Sequence, residues 1–484
     1  MLAFWIMLAV SSVAAVKEPY HPAVDQATLR HILKESPNGL LSISNGAPVS
    51  SVEASTALNQ PLLLNNFFLD HMTHQMRERT CTRTAHIKGA AAFGYFEVTH
   101  DISHICRASF LNKIGKRTPI VARFSSGIAE KGGSELSREI RGFALKFYTD
   151  EGNFDIPGIV TPTFVITNPV YYPNFIHAIR RHPASYLYDP IPLWEMMVKH
   201  PESMNAFLLM FADRGIPKTY RHMPCYNVHT LQVIGKDGKT YFVRFHILPT
   251  LGIKHMTTAQ AQETNFKDQD FYTRDLRDAI DKGDFPSWTV NVQIITEEDV
   301  LQYGYQLFDI TRVIPLKKFP LHPVGKIVLN RNPTNYFAEV DQLGFNPGNL
   351  VDGIIGAPDK VFEARRYAYT DAQMYRLGPH AREIPVNCPI NVPEVPSKTN
   401  CRSRQPGLLR IIEEEPYNFD QARELYEDEM TDEERERLHE NLILTMKATS
   451  PPVEVQQDVL HVLAQIDPEL AYNVARGLNA TIAY

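Results

Sequence analysis

Between about residue 86 and residue 330, short runs of β-branched and aromatic residues alternate with polar ones and are broken by Gly, Pro and Asp. Examples are "TPIVARFSSG", "RGFALKFYTDEGNFD", "TPTFVITNP", "KTYFVRFHI" and "SWTVNVQII". Period-two alternation at this density of turn residues predicts an antiparallel sheet or barrel. A helical pattern, "PLWEMMVKHPESMNAFLLMFA", interrupts it, so the fold class is α+β. Residues 16 to 80 are polar and irregular apart from a helical patch around "NNFFLDHMTHQMRER", and are expected to form an extended arm. Residues 331 to about 360 are rich in Asn, Pro and Gly and predict a long irregular connection, which is uncommon unless it serves a function. Beyond 416 the pattern turns helical. Thr431 with Glu434 forms a capping box ahead of Leu438, Leu442 and Met446, and a second helix follows Pro451 and Pro452 with Val455, Val459, Val462, Leu463 and Ile466 on one face.

Two stretches carry candidate chemistry. In "PDKVFEARRYAYTDAQMYRLGP" an Asp N-cap at Asp359 and a Gly-Pro stop at Gly378 predict a helix. On it Arg365 and Tyr369 stand one turn apart on one face, with Arg376 two turns further on. A guanidinium beside a phenol favours the phenolate, a hard anionic ligand for ferric iron. An ordinary helix-surface pair has the same spacing. In "RTAHIKGAAAFGYFEVTHD", His86 lies between Arg83 and Lys88 ahead of an aromatic strand-like run, and is either a surface residue at a loop end or a residue aimed at a partner elsewhere.

Composition narrows the classes. Lys plus Arg number 49 against 55 Asp plus Glu, a net charge of -6 that offers no electrostatic footprint for nucleic acid or an anionic membrane. The start "MLAFWIMLAVSSVAAVKEP" is apolar to Val10 and then small, without a basic n-region; a secretory signal ending near Ala15 is expected. The terminal "TIAY" is no peroxisomal address, and a single glycosylation sequon stands at Asn479. Five scattered cysteines, Cys81, Cys106, Cys225, Cys388 and Cys401, make no disulfide scaffold and no CxxC, and leave open whether Cys388 and Cys401 pair.

Taken together, "HIKGAAAFGYFEVTHDI", "VARFSSG", "RGFALKFYTDEGNFD", "FPSWTV", "FDITRV", "VGKIVLNRNPTNYFAEVDQLGFNPGNL" and "RRYAYTDAQMYRLG" resemble the haem catalases, in the family's order and over about residues 60 to 475. The resemblance implies the small-subunit, Tyr-ligated, monofunctional type. Its fold would be an antiparallel eight-stranded β-barrel with a signal peptide over 1–15, an arm over 16–80, the haem-binding barrel over 81–330, a wrapping connection with the Tyr helix over 331–415, and a C-terminal helical domain over 416–484. It further implies a haem cofactor, haem b, and a homotetramer in which arm and connection wrap neighbouring subunits. Residue by residue, His86 matches the distal histidine that takes a proton from one peroxide oxygen and hands it to the other. Ser125 matches a distal hydroxyl, and Phe164 a pocket-wall aromatic. Tyr369 matches the axial ligand of the haem iron, a tyrosine in catalases. Arg365 matches the arginine that holds it as phenolate, His229 and Asp359 the pair behind Arg365, and Arg83, Arg123 and Arg376 the partners of the haem propionates.

Two sets of residues depart from the family pattern. Where the family places a distal asparagine two positions before Thr-Pro, "DIPGIVTPTF" has Ile159, which offers no hydrogen-bond donor. Loss of one preorganised donor costs roughly a hundredfold to a thousandfold in turnover. Tyr172 stands where the family has a wall phenylalanine. At positions that hold NADPH in some members, this chain has Asn205, Leu248, Ile314 and Leu316, and only Arg214 remains; bound NADPH is not expected. The leading expectation is a secreted enzyme that dismutates hydrogen peroxide to water and oxygen at reduced turnover. The alternatives are a haem-binding protein without useful catalase activity, and an enzyme that processes organic hydroperoxides.

Overall fold

The computed structural model describes residues 40–50, 63, 65–77, 81–389, 407–414 and 419–482. The expected signal segment and Cys401 lie outside these. The chain divides into two units, residues 1–79 and 80–484. In the first, β1 (Leu40–Ser42) and β2 (Pro48–Ser50) form an antiparallel hairpin. The helical patch forms as Asn66–Met76, capped by the Asn65 side chain, which accepts from Phe68 N at 2.8 Å.

The second unit is built on β3 (Gly89–Val98), β4 (Arg117–Ser125), β5 (Gly142–Thr149), β6 (Gly152–Ile159), β7 (Cys225–Tyr226), β8 (Leu231–Ile234), β9 (Thr240–Pro249), β10 (Ser287–Ile295), β11 (His322–Arg331) and β12 (Ile354–Gly356). Eight of them close an antiparallel barrel in the order β10-β11-β3-β4-β5-β6-β7-β9, with β9 pairing back to β10; β8 and β12 extend from β9. Alternation does its expected work in β10, where Trp288, Val290 and Val292 point into the core. Phe96, Phe110, Phe124, Phe143, Phe147 and Phe154 fill the same interior. The run "IVARFS" of β4 is buried on both faces, because Val121 packs outward with Ala91, Tyr148, Val340 and Leu343. The covering layer comes from the irregular connection, which holds a π-helical turn at Phe337–Asp341 and little else that is regular before β12. Its length is thus explained by the barrel wall it covers.

Gly89 pairs with Ser125, Ser125 with Gly142, Gly142 with Ile159, and Ile159 with Tyr226, so these five residues form a single row across one end of the barrel. His86 stands three residues before that row begins.

The sequence reading fails in two places. "TPTFVITNP" predicts a strand, but it forms bends and turns with no ladder partner. Pro162 and Pro169 remove donors that a strand would need. Its Val165 and Ile166 are apolar because they bury against Ala178, Met196 and Ala206. Two C-terminal helices form as predicted, Asp432–Thr449 with the Thr431 and Glu434 capping box, and Val453–Ile466. A third, Pro468–Leu478, was not anticipated, although Asp467 caps it and Pro468 opens it. All three pack on Trp194, Phe207 and Phe211 from Ile191–Lys199 and Met204–Phe211, the two helices within the interrupting segment.

Candidate active site

The helix Lys360–Leu377 begins at Asp359 and stops at Gly378, whose φ of 88° is open to glycine. Asp359 does two jobs with one carboxylate. Its Oδ1 accepts from Phe362 N at 2.8 Å, and its Oδ2 lies 2.9 Å from His229 Nδ1. A guanidinium can only donate, so the 2.8 Å contact from Arg365 Nη1 makes His229 Nε2 the acceptor and puts the ring proton on Nδ1, facing Asp359. Burial lowers the pKa of His229, against the pull of Asp359, which agrees with this neutral tautomer. Arg365 Nη2 in turn donates to Tyr369 Oη at 2.9 Å and to the Pro157 carbonyl at 2.7 Å. The expected chain from Asp359 through His229 and Arg365 to Tyr369 is therefore continuous. The Pro157 carbonyl, contributed by β6, is an anchor that side-chain spacing could not reveal.

On the other side, His86 takes a left-handed backbone, φ 58°, a conformation that costs a non-glycine residue roughly 1–2 kcal/mol and clusters at functional sites. Its N–H donates to the Gly127 carbonyl at 3.3 Å, and Ser125 Oγ lies 3.2 Å from Nδ1. Gly142 permits this approach, since a Cβ there would stand 2.6 Å from Ser125 Oγ and 2.9 Å from His86 Nδ1. Although the ring is open to an internal cavity, it is enclosed by protein. Burial, then Arg123 and Arg365, push its pKa down to about 4, so the imidazole is neutral at pH 7. Ile159, further along the row, packs with Phe164 against Val228, Ile310 and Val361. That wall is hydrocarbon. Phe164 also meets Phe175 edge to face, and the phenol of Tyr172 is held well above its ordinary pKa by burial and by neighbouring Tyr369.

A cavity of about 1260 Å³ joins the two sides, with His86, Ser125, Ile159, Tyr172, Arg365 and Tyr369 among its walls. At its edge Arg83, Arg123 and Arg376 crowd together. Burial lowers the pKa of each, and Arg123 lowers those of Arg83 and Arg376 further. Arg83 donates to the carbonyls of Val340, Asp341 and Leu343, and Arg376 to those of Asp341 and Leu343. Arg123 Nε is buried without a hydrogen-bond partner. One carboxylate, Asp341, serves the group, at 4.0 Å from Arg83 and 3.0 Å from Lys131. Neither Asp341 nor Lys131 was singled out in the sequence; for Asp341 the conspicuous Asn, Pro and Gly content of residues 331–360 was the available signal.

Buried guanidinium groups in excess of carboxylates need anions, and a broad apolar cavity needs a large flat occupant. A haem, with its apolar ring and paired carboxylates, meets both needs beside a phenol held by a guanidinium, which places the site in the class of haem proteins that process peroxides. Comparison with known proteins agrees. The family described as "Catalase" matches residues 42–420, and the one described as "Catalase-related immune-responsive" matches residues 412–478. A catalase of Methanosarcina barkeri is 40% identical over 479 residues, covering 92% of this chain and 94% of the relative. One from Ascaris suum is 45% identical over 353 residues, 72% of this chain and 65% of the relative. The solved structure of catalase A from Saccharomyces cerevisiae superposes with a TM-score of 0.82 at 33% identity, over 91% of this chain and 99% of that one. The chain belongs to the catalase family, whose members carry haem and dismutate hydrogen peroxide to water and oxygen, and it is an enzyme of that kind.

The residues at the positions considered for NADPH lie in several different surroundings. The Asn205 amide lies 3.4 Å from Gln421 Oε1, and Gln421 also brackets the backbone of Val313 at 2.8 and 2.9 Å. Ile314 is buried in a cluster against which Leu409 and Ile411 pack, and Leu316 is exposed. Leu248 pairs with Thr289 between β9 and β10, and Arg214 follows the helix that carries Asn205. Among the described residues no helix is long and apolar enough to cross a membrane, and no cluster of His, Cys, Asp and Glu could hold a metal ion. Cys106 and Cys225 are buried thiols whose pKa values burial pushes up.

Proposed function

We propose that this chain dismutates hydrogen peroxide at a haem b held by Tyr369, with turnover well below that of a site that carries the distal amide. The observation that carries the reading is the row Ser125, Gly142, Ile159: the backbone that would present a donor beside His86 is in register, and the side chain it presents is an isobutyl-sized hydrocarbon packed on Phe164, Val228 and Ile310. Arg365, oriented by His229 and Asp359, favours the Tyr369 phenolate, and Arg83, Arg123 and Arg376 are the partners for the propionates. Bound haem supplies the redox chemistry that cleaves one peroxide and oxidises a second. His86, neutral and beside Ser125, takes a proton from one peroxide oxygen and returns it to the other. Ile159 and Phe164 keep water from the reacting oxygens but leave the developing charge without a second donor.

The same reading includes no bound NADPH, because the stacking and cationic groups are replaced and Asn205 is turned to Gln421. It includes export under the N-terminal apolar segment, with hydrogen peroxide met outside the cell, and a homotetramer. Oxygen evolution from hydrogen peroxide, normalised to haem by the Soret absorbance, tests it. Measurable but slow evolution supports a weakened dismutase; evolution at rates unaffected by restoring a donor at 159 overturns it; absence of evolution with full haem favours a haem-binding protein without catalase activity.

A further inference from the structure

Residues 126–129 form the turn that holds His86. The Gly127 carbonyl accepts from His86 N at 3.3 Å, where the backbone is left-handed, and the ring meets the backbone of Ser126. Burial, then Arg123 and Arg365, lower the pKa of His86, and the Ser126 contact works against them. Only an acceptor favours the protonated ring, so the Ser126 carbonyl accepts and the ring nitrogen facing it carries the hydrogen. The other nitrogen is thereby left as the base. What holds the turn is Glu139, thirteen residues beyond Ser126 and fully buried. Its Oε1 accepts from Ser126 Oγ at 2.6 Å and its Oε2 from Ile128 N at 2.7 Å, while Ser126 Oγ accepts from Ala129 N at 2.8 Å. A Cβ at Gly127 would collide with the Ile140 carbonyl, so the turn lies directly against the chain that leads into β5. A plain buried ion pair with Arg141 is the competing use of Glu139, but that contact is 3.6 Å, and Arg141 donates instead to the carbonyls of Gly215 at 2.6 Å and Glu135 at 2.8 Å. The short, charge-assisted bonds of Glu139 go to the turn. Gly127, Ile128 and Ala129 line the cavity, whereas Ser126 and Glu139 do not.

We propose that Glu139, acting through Ser126, is a positioning residue for His86: its carboxylate fixes the turn, and the turn fixes both the left-handed backbone at 86 and the ring nitrogen that is free to take a proton. The inference rests on the reading of His86 as the proton carrier and adds what keeps it in place. Glu139 itself touches neither substrate nor haem. Strained backbone persists only where its surroundings over-determine it. Without the carboxylate, His86 relaxes toward negative φ and the ring leaves its place.

The test uses the haem-loaded full chain with cyanide and nitric oxide as probes. Hydrogen cyanide gives up a proton as it binds ferric haem and so reports the distal base; nitric oxide binds without proton transfer and reports access alone. Glu139→Gln and Ser126→Ala should each slow cyanide capture, followed at the Soret band, by roughly tenfold to a hundredfold, the cost of a group misplaced by about an ångström. Nitric oxide capture and haem occupancy should be unchanged, and Ser126→Thr, which returns the hydroxyl, should restore the cyanide rate. Where Glu139→Gln fails to fold, Ser126→Ala, which leaves the carboxylate on Ile128, carries the test. Equal slowing of both probes, or a loss that Ser126→Thr does not restore, means a pocket distorted as a whole and overturns the inference. Cyanide capture at the parent rate in these variants, with capture slowed in His86→Ala, also overturns it and leaves the proton-carrier reading standing. Cyanide capture and oxygen evolution undiminished in His86→Ala overturn that reading, and this inference with it.

Discussion

The two sides of the cavity are built to different standards. On the Tyr369 side, four polar side chains from a helix, a strand connection and a helix cap satisfy one another in series, each contact between 2.8 and 2.9 Å, and a backbone carbonyl takes a further guanidinium N–H. On the His86 side, one strained imidazole has one hydroxyl near it and faces hydrocarbon. Holding a haem requires buried cations for its carboxylates and an oriented ligand, and the arginine cluster and the Arg365-bound phenol suit both. Speeding peroxide chemistry further requires donors placed where charge develops, and there one position has been given to packing. The difference separates cofactor retention from catalytic efficiency within a single pocket.

The largest effect should come from breaking the better-built side. Tyr369→Phe keeps the ring and removes the oxygen that Arg365 contacts, so haem occupancy on purification should fall by more than about tenfold, the loss that even an outer-shell partner can bring. Full occupancy with an unchanged spectrum would show that another group holds the iron. Next in size, His86→Ala should leave haem occupancy intact and lower oxygen evolution by about 10²–10⁴-fold, since it removes the proton carrier alone. Equal loss of haem would mean that the two sides are not separable. Asp359→Ala should be smaller. It deletes an N-cap, about 1 kcal/mol, and strands the buried His229 N–H, about 1–3 kcal/mol, so thermal unfolding should report a loss of about 2 kcal/mol or more with haem still bound. The smallest effect concerns pH. Because the enclosed His86 stays neutral down to about pH 4, haem-normalised oxygen evolution should be nearly flat from pH 7 to 5 and fall below that as the imidazole takes a proton. The same lowered pKa means that the unfolded chain binds this proton first, near 6.5, so stability is present above that value and declines as pH falls toward 4. A steep loss of activity between pH 7 and 6 would contradict the enclosure.

The legibility of the two sides in the sequence differs for a physical reason. Arg365 and Tyr369 are one helical turn apart, so local periodicity alone proposes their contact, and Asp359 and Gly378 mark the ends of the helix that carries them. His229 lies 130 residues from Asp359, and nothing local joins them; family resemblance supplied that link. The substitution at Ile159 was readable because the Thr-Pro landmark keeps its spacing, but its place in the row from Gly89 to Tyr226 depends on strand register, which a pattern of alternating residues does not specify. "TPTFVITNP" misled because burial against neighbouring helices and burial in a sheet select the same residue types. The Asp341 and Lys131 contribution at the arginine cluster was hidden for the opposite reason: both sit in irregular segments whose meeting only the closed barrel arranges.

The contrast between the two sides is tested most directly by Ile159→Asn, read as oxygen evolution per haem. The account predicts a rise by a large factor, up to roughly a hundredfold to a thousandfold, with unchanged haem occupancy and a stability cost of about 1–3 kcal/mol for the buried amide. The gain should vanish when His86→Ala is added, because the amide only positions what the imidazole protonates. An unchanged or lower rate at full haem occupancy would contradict it, and would place the limit on turnover somewhere other than the hydrocarbon at position 159.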